Sequence, residues 1–293
     1  MQVKQNSIKA WLLASRPKTL TAALIPIIVA TALASHNPRC NYQAVAICFV
    51  FASLMQIAAN LINDLFDYLK GTDGEDRLGP ERACAQGWIS PKAMRVGIGI
   101  VLLLAVGVGC CILCYSSLWL IAVGALCVVF AFLYTTILSY TGLGDVLVLL
   151  FFGLVPCCGT YYVSTGELTT PSVVASIICG VLIDTLLIIN NYRDRDTDRA
   201  NNKVTLIVMF GEKFGQHFYL LCGVVAWGLC FLLLPSADGW WIMITTIYLV
   251  PHFMTWRKMV KINHGRELNS ILGSTSRNMF LFGLLLAVGI VLS

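Results

Sequence analysis

Charge is scarce in this chain of 293 residues: Asp, Glu, Lys and Arg make up 12% of it, where a soluble domain carries about 25%. With 58% hydrophobic residues and a mean hydropathy of +0.79, the apolar surface exceeds what a water-bounded core hides. Lipid must cover the remainder. The alternation of polar and apolar residues that a membrane β-barrel needs is also missing, because the apolar runs are continuous. No small-residue cleavage site follows Lys4, Lys9, Arg16 and Lys18, and the next apolar run is of span length, so no cleaved leader is expected. Metal-binding Cys/His spacing is lacking too. The twelve cysteines sit mostly inside apolar runs, as do Cys110, Cys111, Cys114, Cys157 and Cys158, and read as inert buried thiols. The net charge of +5 does not point to nucleic acid, since the basic residues follow membrane topology.

What is present is a series of apolar segments. A helical span needs roughly 20 such residues. About nine fit, near 20–35, 42–65, 94–115, 118–137, 144–164, 171–192, 216–234, 239–256 and 277–292. The expected fold is all-α: a polytopic single bundle, one domain over 1–293, with a central cavity open to the cytoplasm. With the N-terminus cytoplasmic, nineteen of the twenty Lys and Arg residues lie in or beside cytoplasmic segments, and Arg39 alone lies outside. That asymmetry follows the positive-inside rule and favours an odd number of spans.

Two acidic stretches close apolar runs. One reads Asn60-Leu-Ile-Asn63-Asp64-Leu-Phe-Asp67, followed by Gly71 and Asp73. The other reads Asn190-Asn191-Tyr192-Arg193-Asp194-Arg195-Asp196-Thr197-Asp198, followed by Lys203. An offset of 127 places Asn63 on Asn190 and Asp67 on Asp194, as an internal duplication would. Residues four apart share a helix face, so Asn63 and Asp67 form one stripe, Asn60 and Asp64 its neighbour, and Asn190, Asp194 and Asp198 the counterpart. Carboxylates at the mouth of a span are costly and need partners. Two such groups point to a shared polycationic or metal-bridged ligand, foremost a diphosphate held by Mg²⁺, a cation that takes oxygen ligands and substrate phosphates. Lys70, Arg77, Arg82, Arg193 and Lys203 interleave with the acids and suit a departing diphosphate. Asp184, deeper in its span, reads either as a bundle-facing hydrogen-bonded acid or as a catalytic one. Asp196 points away from the stripe and reads as solvated.

Both motifs, together with Lys203-x-Thr205-Leu206, resemble the UbiA superfamily of intramembrane aromatic prenyltransferases. The nearest branch, acting on 1,4-dihydroxy-2-naphthoate in menaquinone synthesis, is suggested by three stretches. They are Ser15-Arg16-Pro17-Lys18-Thr19-Leu20, Asp76-Arg77-Leu78-Gly79-Pro80 with Arg82, and Tyr140-Thr141-Gly142-Leu143-Gly144-Asp145 followed by Phe151-Phe152-Gly153 and Gly159-Thr160-Tyr161-Tyr162. The likeness covers nearly the whole chain and weakens after about residue 235. Two departures stand out. Gly71 occupies a position where many members have Asp, so Asp73 would have to serve, and Asp145 replaces a frequent Glu.

The resemblance implies Mg²⁺ held by Asp64, Asp67, Asp194 and Asp198, aided by Asn63 and Asn190. It implies a polyprenyl diphosphate gripped by Arg82, Arg193 and Lys203, with its tail along a lipid-facing groove. Asp67 and Asp194 would be the central catalytic acids. Asp73 would help to deprotonate the acceptor, and Arg16 or Lys18 would pair with the carboxylate of 1,4-dihydroxy-2-naphthoate. Phe66, Tyr134, Tyr140, Phe152, Tyr161 and Tyr162 are aromatic candidates for shielding an allylic cation. The implied site of action is the inner membrane. Two rivals remain: a 4-hydroxybenzoate acceptor, and a secondary transporter, whose ion sites lie nearer the midplane. Oligomeric state and prenyl length are not legible.

Overall fold

A computed structural model describes residues 3–71, 77–234 and 239–293. Among them the fold is helical, and each apolar segment read from the sequence is in a helix. The elements are α1 (Ile8–Ala14), α2 (Leu20–Ala34), α3 (Tyr42–Lys70), α4 (Pro91–Ile112), α5 (Leu120–Thr136), α6 (Gly144–Thr165), α7 (Thr170–Ala200), α8 (Leu206–Phe210), α9 (Glu212–Leu233), α10 (Leu249–Ile262) and α11 (Leu268–Leu292). A 3₁₀ stretch over Gly239–Tyr248 leads into α10. Six helices (α3, α4, α6, α7, α9 and α11) are long and apolar enough to cross a membrane. The chain is a multi-pass membrane protein.

Local chemistry sets the helix ends nearest the site. Asn41 caps α3 by accepting from the Gln43 and Ala44 amides, so α3 starts far from its acidic end. It stops at Gly71, whose φ of 71° is the left-handed geometry glycine adopts at no steric cost. Thr169 and Ser172 form a reciprocal capping box with Pro171 inside the first turn of α7. From there 31 residues run unbroken to Ala200, which carries Asp194 and Asp198 past the apolar zone.

Helix α7 is the central post. Two thirds (67%) of its apolar window is buried, against 17% for α4, whose Val96, Ile100, Leu103 and Leu104 face outward as a lipid-facing surface would. The helix α6 crosses α7 at very short range. A Cβ on Gly153 would lie 2.6 Å from the Ser176 carbonyl oxygen, and one on Gly180 would meet Leu149 at 2.6 Å. Small residues allow this approach inside a bundle, and a π-helical turn over Leu149–Leu154 accommodates it. One apolar cluster joins α2, α6, α7 and α11. Another joins α1, α3, α4 and the 83–89 segment, and a third packs the acidic end of α7 against α9, α10 and α11.

Candidate active site

The acidic end of α3 splits into the two stripes read from the sequence, and they do different things. Asn60 donates to the Ser15 carbonyl and the Thr19 hydroxyl, both at 2.9 Å, which pins the turn between α1 and α2. Asp64, 1% exposed, accepts from the Ala83 amide at 2.8 Å and the Cys84 amide at 2.9 Å. Both of its oxygens are used to hold the loop before α4. The other stripe faces the bundle: Thr135 donates to the Asn63 side chain, and Arg82 Nη2 meets Asp67 at 2.6 Å. One turn on, Lys70 donates to the Thr135 and Thr136 carbonyls and lies 4.2 Å above the Tyr140 ring.

On α7, Arg193 chelates its neighbour Asp194 through Nε at 2.7 Å and Nη2 at 2.6 Å. Its Nη1 donates to Asn269 of α11 at 2.9 Å. Asn269 also donates to the Leu78 carbonyl at 2.7 Å, and Gly79 lies so close that a Cβ there would be 2.9 Å from Arg193 Nη2. The loop after the first motif therefore sits on the second. Lys203 donates to both oxygens of Asp198, at 3.2 and 3.3 Å. The Tyr140 hydroxyl is pushed up from its usual range by burial and then by the carboxylates of Asp67 and Asp198. Asn190 donates to the Leu186 carbonyl of its own helix.

Arg16 takes a left-handed backbone (φ 49°) at the pinned turn. Its Nη2 is buried without a hydrogen-bond partner among the described residues. Burial first, then Arg82 nearby, pushes its pKa down to about 9. A bound anion would relieve both.

Other expectations fare unevenly. Asp73 and Asp76 lie outside the described residues, as does the side chain of Lys18. Asp196 is exposed beside His264, as read. Tyr162 is misplaced for cation shielding. It bonds Ser117 and Trp119, and the neighbouring Tyr115 bonds Gln43, so this group sits at the start of α3, roughly 40 Å of helix from its acidic end. Phe66 packs edge-on against Phe132, and Tyr161 is buried in the core, with Phe152 packed against that core. Tyr134 precedes Thr135, the partner of Asn63, and lines a small pocket with Lys203.

Two features escaped the sequence reading. Asn269 bridges the motifs, and nothing about a lone Asn at a helix start marks it. Arg195, read only as part of a motif, is buried and bonds the Tyr192 and Asn263 carbonyls and Glu212. It braces the α7–α9–α10 corner.

For a metal, the donors on offer are the oxygens of Asp67, Asp194, Asp198, Asn63 and Asn190, with no thiolate or imidazole in the set. That chemistry fits a hard cation such as Mg²⁺. No group of three or more Asp, Glu, His or Cys is drawn together for a metal among the described residues. Arginine and lysine hold the carboxylates instead.

Known proteins bear on this geometry. The UbiA prenyltransferase family model matches residues 23–290. The 1,4-dihydroxy-2-naphthoate octaprenyltransferase of Escherichia coli (strain K12) is 33% identical over 97% of this chain and 96% of its own. That of Mycobacterium leprae (strain TN) is 29% identical over 98% of each. Among solved structures, a UbiA homolog from Archaeoglobus fulgidus bound to GPP and Mg²⁺ superposes with a TM-score of 0.67 at 13% identity, covering 95% of this chain and all (100%) of that one. An apo UbiA homolog from Aeropyrum pernix K1 gives 0.69 at 14%, covering 92% and 96%. Twin acid–arginine couples at one end of a helical bundle, and a family match that spans nearly every span, make this chain a member of the UbiA prenyltransferase family.

Proposed function

We propose that the chain transfers a polyprenyl group from its diphosphate to 1,4-dihydroxy-2-naphthoate, releasing CO₂ and diphosphate. The observation that carries this is the pair of self-neutralised couples, Arg82 with Asp67 and Arg193 with Asp194. Arg82 gives its Nη2 to Asp67, and Arg193 gives its Nε and Nη2 to Asp194. A metal–diphosphate complex offers both couples a better partner at once, anionic oxygen for the guanidinium and a cation for the carboxylate. A neutral or purely anionic ligand would satisfy only half of each couple.

In this reading Arg82, Arg193 and Lys203 bind the donor head. Asp67, Asp194 and Asp198, with the amide oxygens of Asn63 and Asn190, are the metal-holding set. Asp64 drops out of that set, because both of its oxygens already hold the 83–84 amides. Bound there, Mg²⁺ would supply Lewis-acid neutralisation of the leaving diphosphate. The chain's own part is to orient the head through the arginines, to keep water from the allylic carbon with apolar walls, and to place Tyr134 and Tyr140 near the developing positive charge. Arg16, with its unpaired buried nitrogen, is the group we assign to the acceptor carboxylate. The membrane arrangement we propose has nine spans in the inner membrane, with the N-terminus and both motifs cytoplasmic.

The test is turnover by purified protein in detergent with geranylgeranyl diphosphate, Mg²⁺ and 1,4-dihydroxy-2-naphthoate. Prenylated naphthoquinol and CO₂ are expected, with 4-hydroxybenzoate left unchanged. Prenylation of 4-hydroxybenzoate alone would replace the acceptor. Recovery of both substrates intact would end the reading.

A further inference from the structure

A cavity of about 260 Å³ opens beside the donor site, far larger than the roughly 15 Å³ that one water needs. The 77–86 segment and the start of α11 form it. Its polar lining is Arg77, Glu81, Arg82, Gln86, Arg266 and Asn269, and none of the acids assigned to the metal lines it. Among the described residues three guanidinium groups stand against one carboxylate there, so the lining is cationic in balance.

Two residues belong to both sites. Arg82 gives Nη2 to Asp67 at 2.6 Å, and Asn269 accepts from Arg193 Nη1 at 2.9 Å. Gly79 lines the cavity and also touches the second motif. A Cβ on it would lie 3.2 Å from Arg77 Nη2 and 2.9 Å from Arg193 Nη2. The cavity thus stands one side chain away from the residues assigned to the donor head.

The chemistry of the lining selects the occupant. Planar guanidinium groups grip phosphoryl oxygens two bonds at a time. No aromatic side chain lines the cavity, and most of its lining is polar, so a prenyl tail or a naphthalene ring finds no apolar wall there. After transfer the prenylated ring is apolar and enters lipid. Diphosphate is a polyanion that hydrocarbon excludes. It has to leave at the end of the bundle that carries the motifs, which is where this cavity lies.

We propose that the cavity is a second phosphoryl-anion site, filled by inorganic diphosphate on its way out, with Arg77 and Arg266 as its outer grip and Arg82 shared with the donor head. This rests on the prenyl-transfer reading above. No bond is made or broken in the cavity. Diphosphate passes from Arg82 to Arg77 and Arg266 and then to water. While the cavity is full, the diphosphate of the next turnover has no way out. Inorganic diphosphate therefore slows the protein even when the donor is saturating.

The experiment measures inhibition of prenyl transfer by added inorganic diphosphate, at fixed free Mg²⁺, in the unsubstituted protein, Arg266→Glu, Arg266→Lys and Gln86→Glu. The unsubstituted protein is expected to show mixed inhibition, with kcat falling as the apparent KM for the donor rises. In Arg266→Glu and Gln86→Glu the diphosphate concentration that halves kcat should rise roughly 5- to 20-fold. The single-turnover rate, which ends before release, stays within about twofold. Arg266→Lys keeps the charge and most of the inhibition. Purely competitive inhibition in the unsubstituted protein, or an unchanged effect on kcat in Arg266→Glu, overturns the proposal. If Arg266→Glu does not fold, Gln86→Glu decides in its place. A second arm repeats the assay in nanodiscs of phosphatidylcholine, with and without phosphatidylglycerol. Equal inhibition of kcat in both supports free diphosphate as the occupant. Its loss with phosphatidylglycerol present would mean that a lipid head group fills the cavity, and would overturn the assignment. Failure of the prenyl-transfer reading looks different: the unsubstituted protein would then consume neither substrate, with or without added diphosphate.

Discussion

Asp64 and Asp67 differ by three positions and by everything around them. Asp64 is buried under two backbone amides, whereas Asp67 is partly exposed and pairs with Arg82. Removing a buried acceptor orphans its donors, at about 1–3 kcal/mol. Asp64→Leu should therefore lower the melting temperature in detergent more than Asp67→Leu does. Asp67→Ala and Asp194→Ala should instead abolish metal-dependent transfer while the protein still inserts and folds, as read by monodisperse elution and retained helicity. Near-normal turnover in either variant would remove that residue from the site. Asn269 belongs to the same scale. It ties Arg193 to the Leu78 carbonyl, so Asn269→Ala should raise KM for the diphosphate with a smaller effect on kcat, and titration with a non-hydrolysable diphosphate analogue would measure it.

At the scale of elements, the α6–α7 crossing sets how closely the bundle core packs. Gly153 and Gly180 let the two backbones touch. Gly153→Leu must push α6 off α7, and overpacking of this kind costs about 1–3 kcal/mol or more. The expected outcome is a lower melting temperature together with reduced turnover, because α7, which carries Asp194 and Asp198, loses its close packing on α6. A variant with unchanged stability and activity would mean that the crossing is slacker than its distances imply. The short α1 shows the other kind of element. It is seven residues long, too short to be stable alone. It holds because Ala10 and Ala14 are buried against Leu61, Ile62 and Leu65 of α3, and Asn60 fastens the turn that follows.

For the molecule as a whole, the basic residues at one end and the self-paired acids there give two expectations. Chelation with EDTA should stop transfer and Mg²⁺ should restore it, read as product formed. Activity that persists without metal would exclude the diphosphate arrangement. With nine spans and a cytoplasmic N-terminus, alkaline phosphatase fused after Ser293 should be active and a fluorescent protein fused there dark. The reverse pattern would require an even number of spans or the opposite orientation.

Much of this was legible in the sequence, because membrane spans announce themselves by continuous apolar length and i,i+4 spacing assigns a face without knowledge of the neighbours. The split between the Asn60/Asp64 stripe and the Asn63/Asp67 stripe follows from that spacing alone. Partners do not follow from it. Arg82 is fifteen residues from Asp67, and Asn269 is seventy-six from Arg193. Nothing local foretold that Asp64 holds a loop or that Tyr162 stands at the wrong end. Hydrophobic periodicity is a one-dimensional signal and fixes elements and their polar faces. Which side chains meet depends on helix crossings, which only close packing in three dimensions decides.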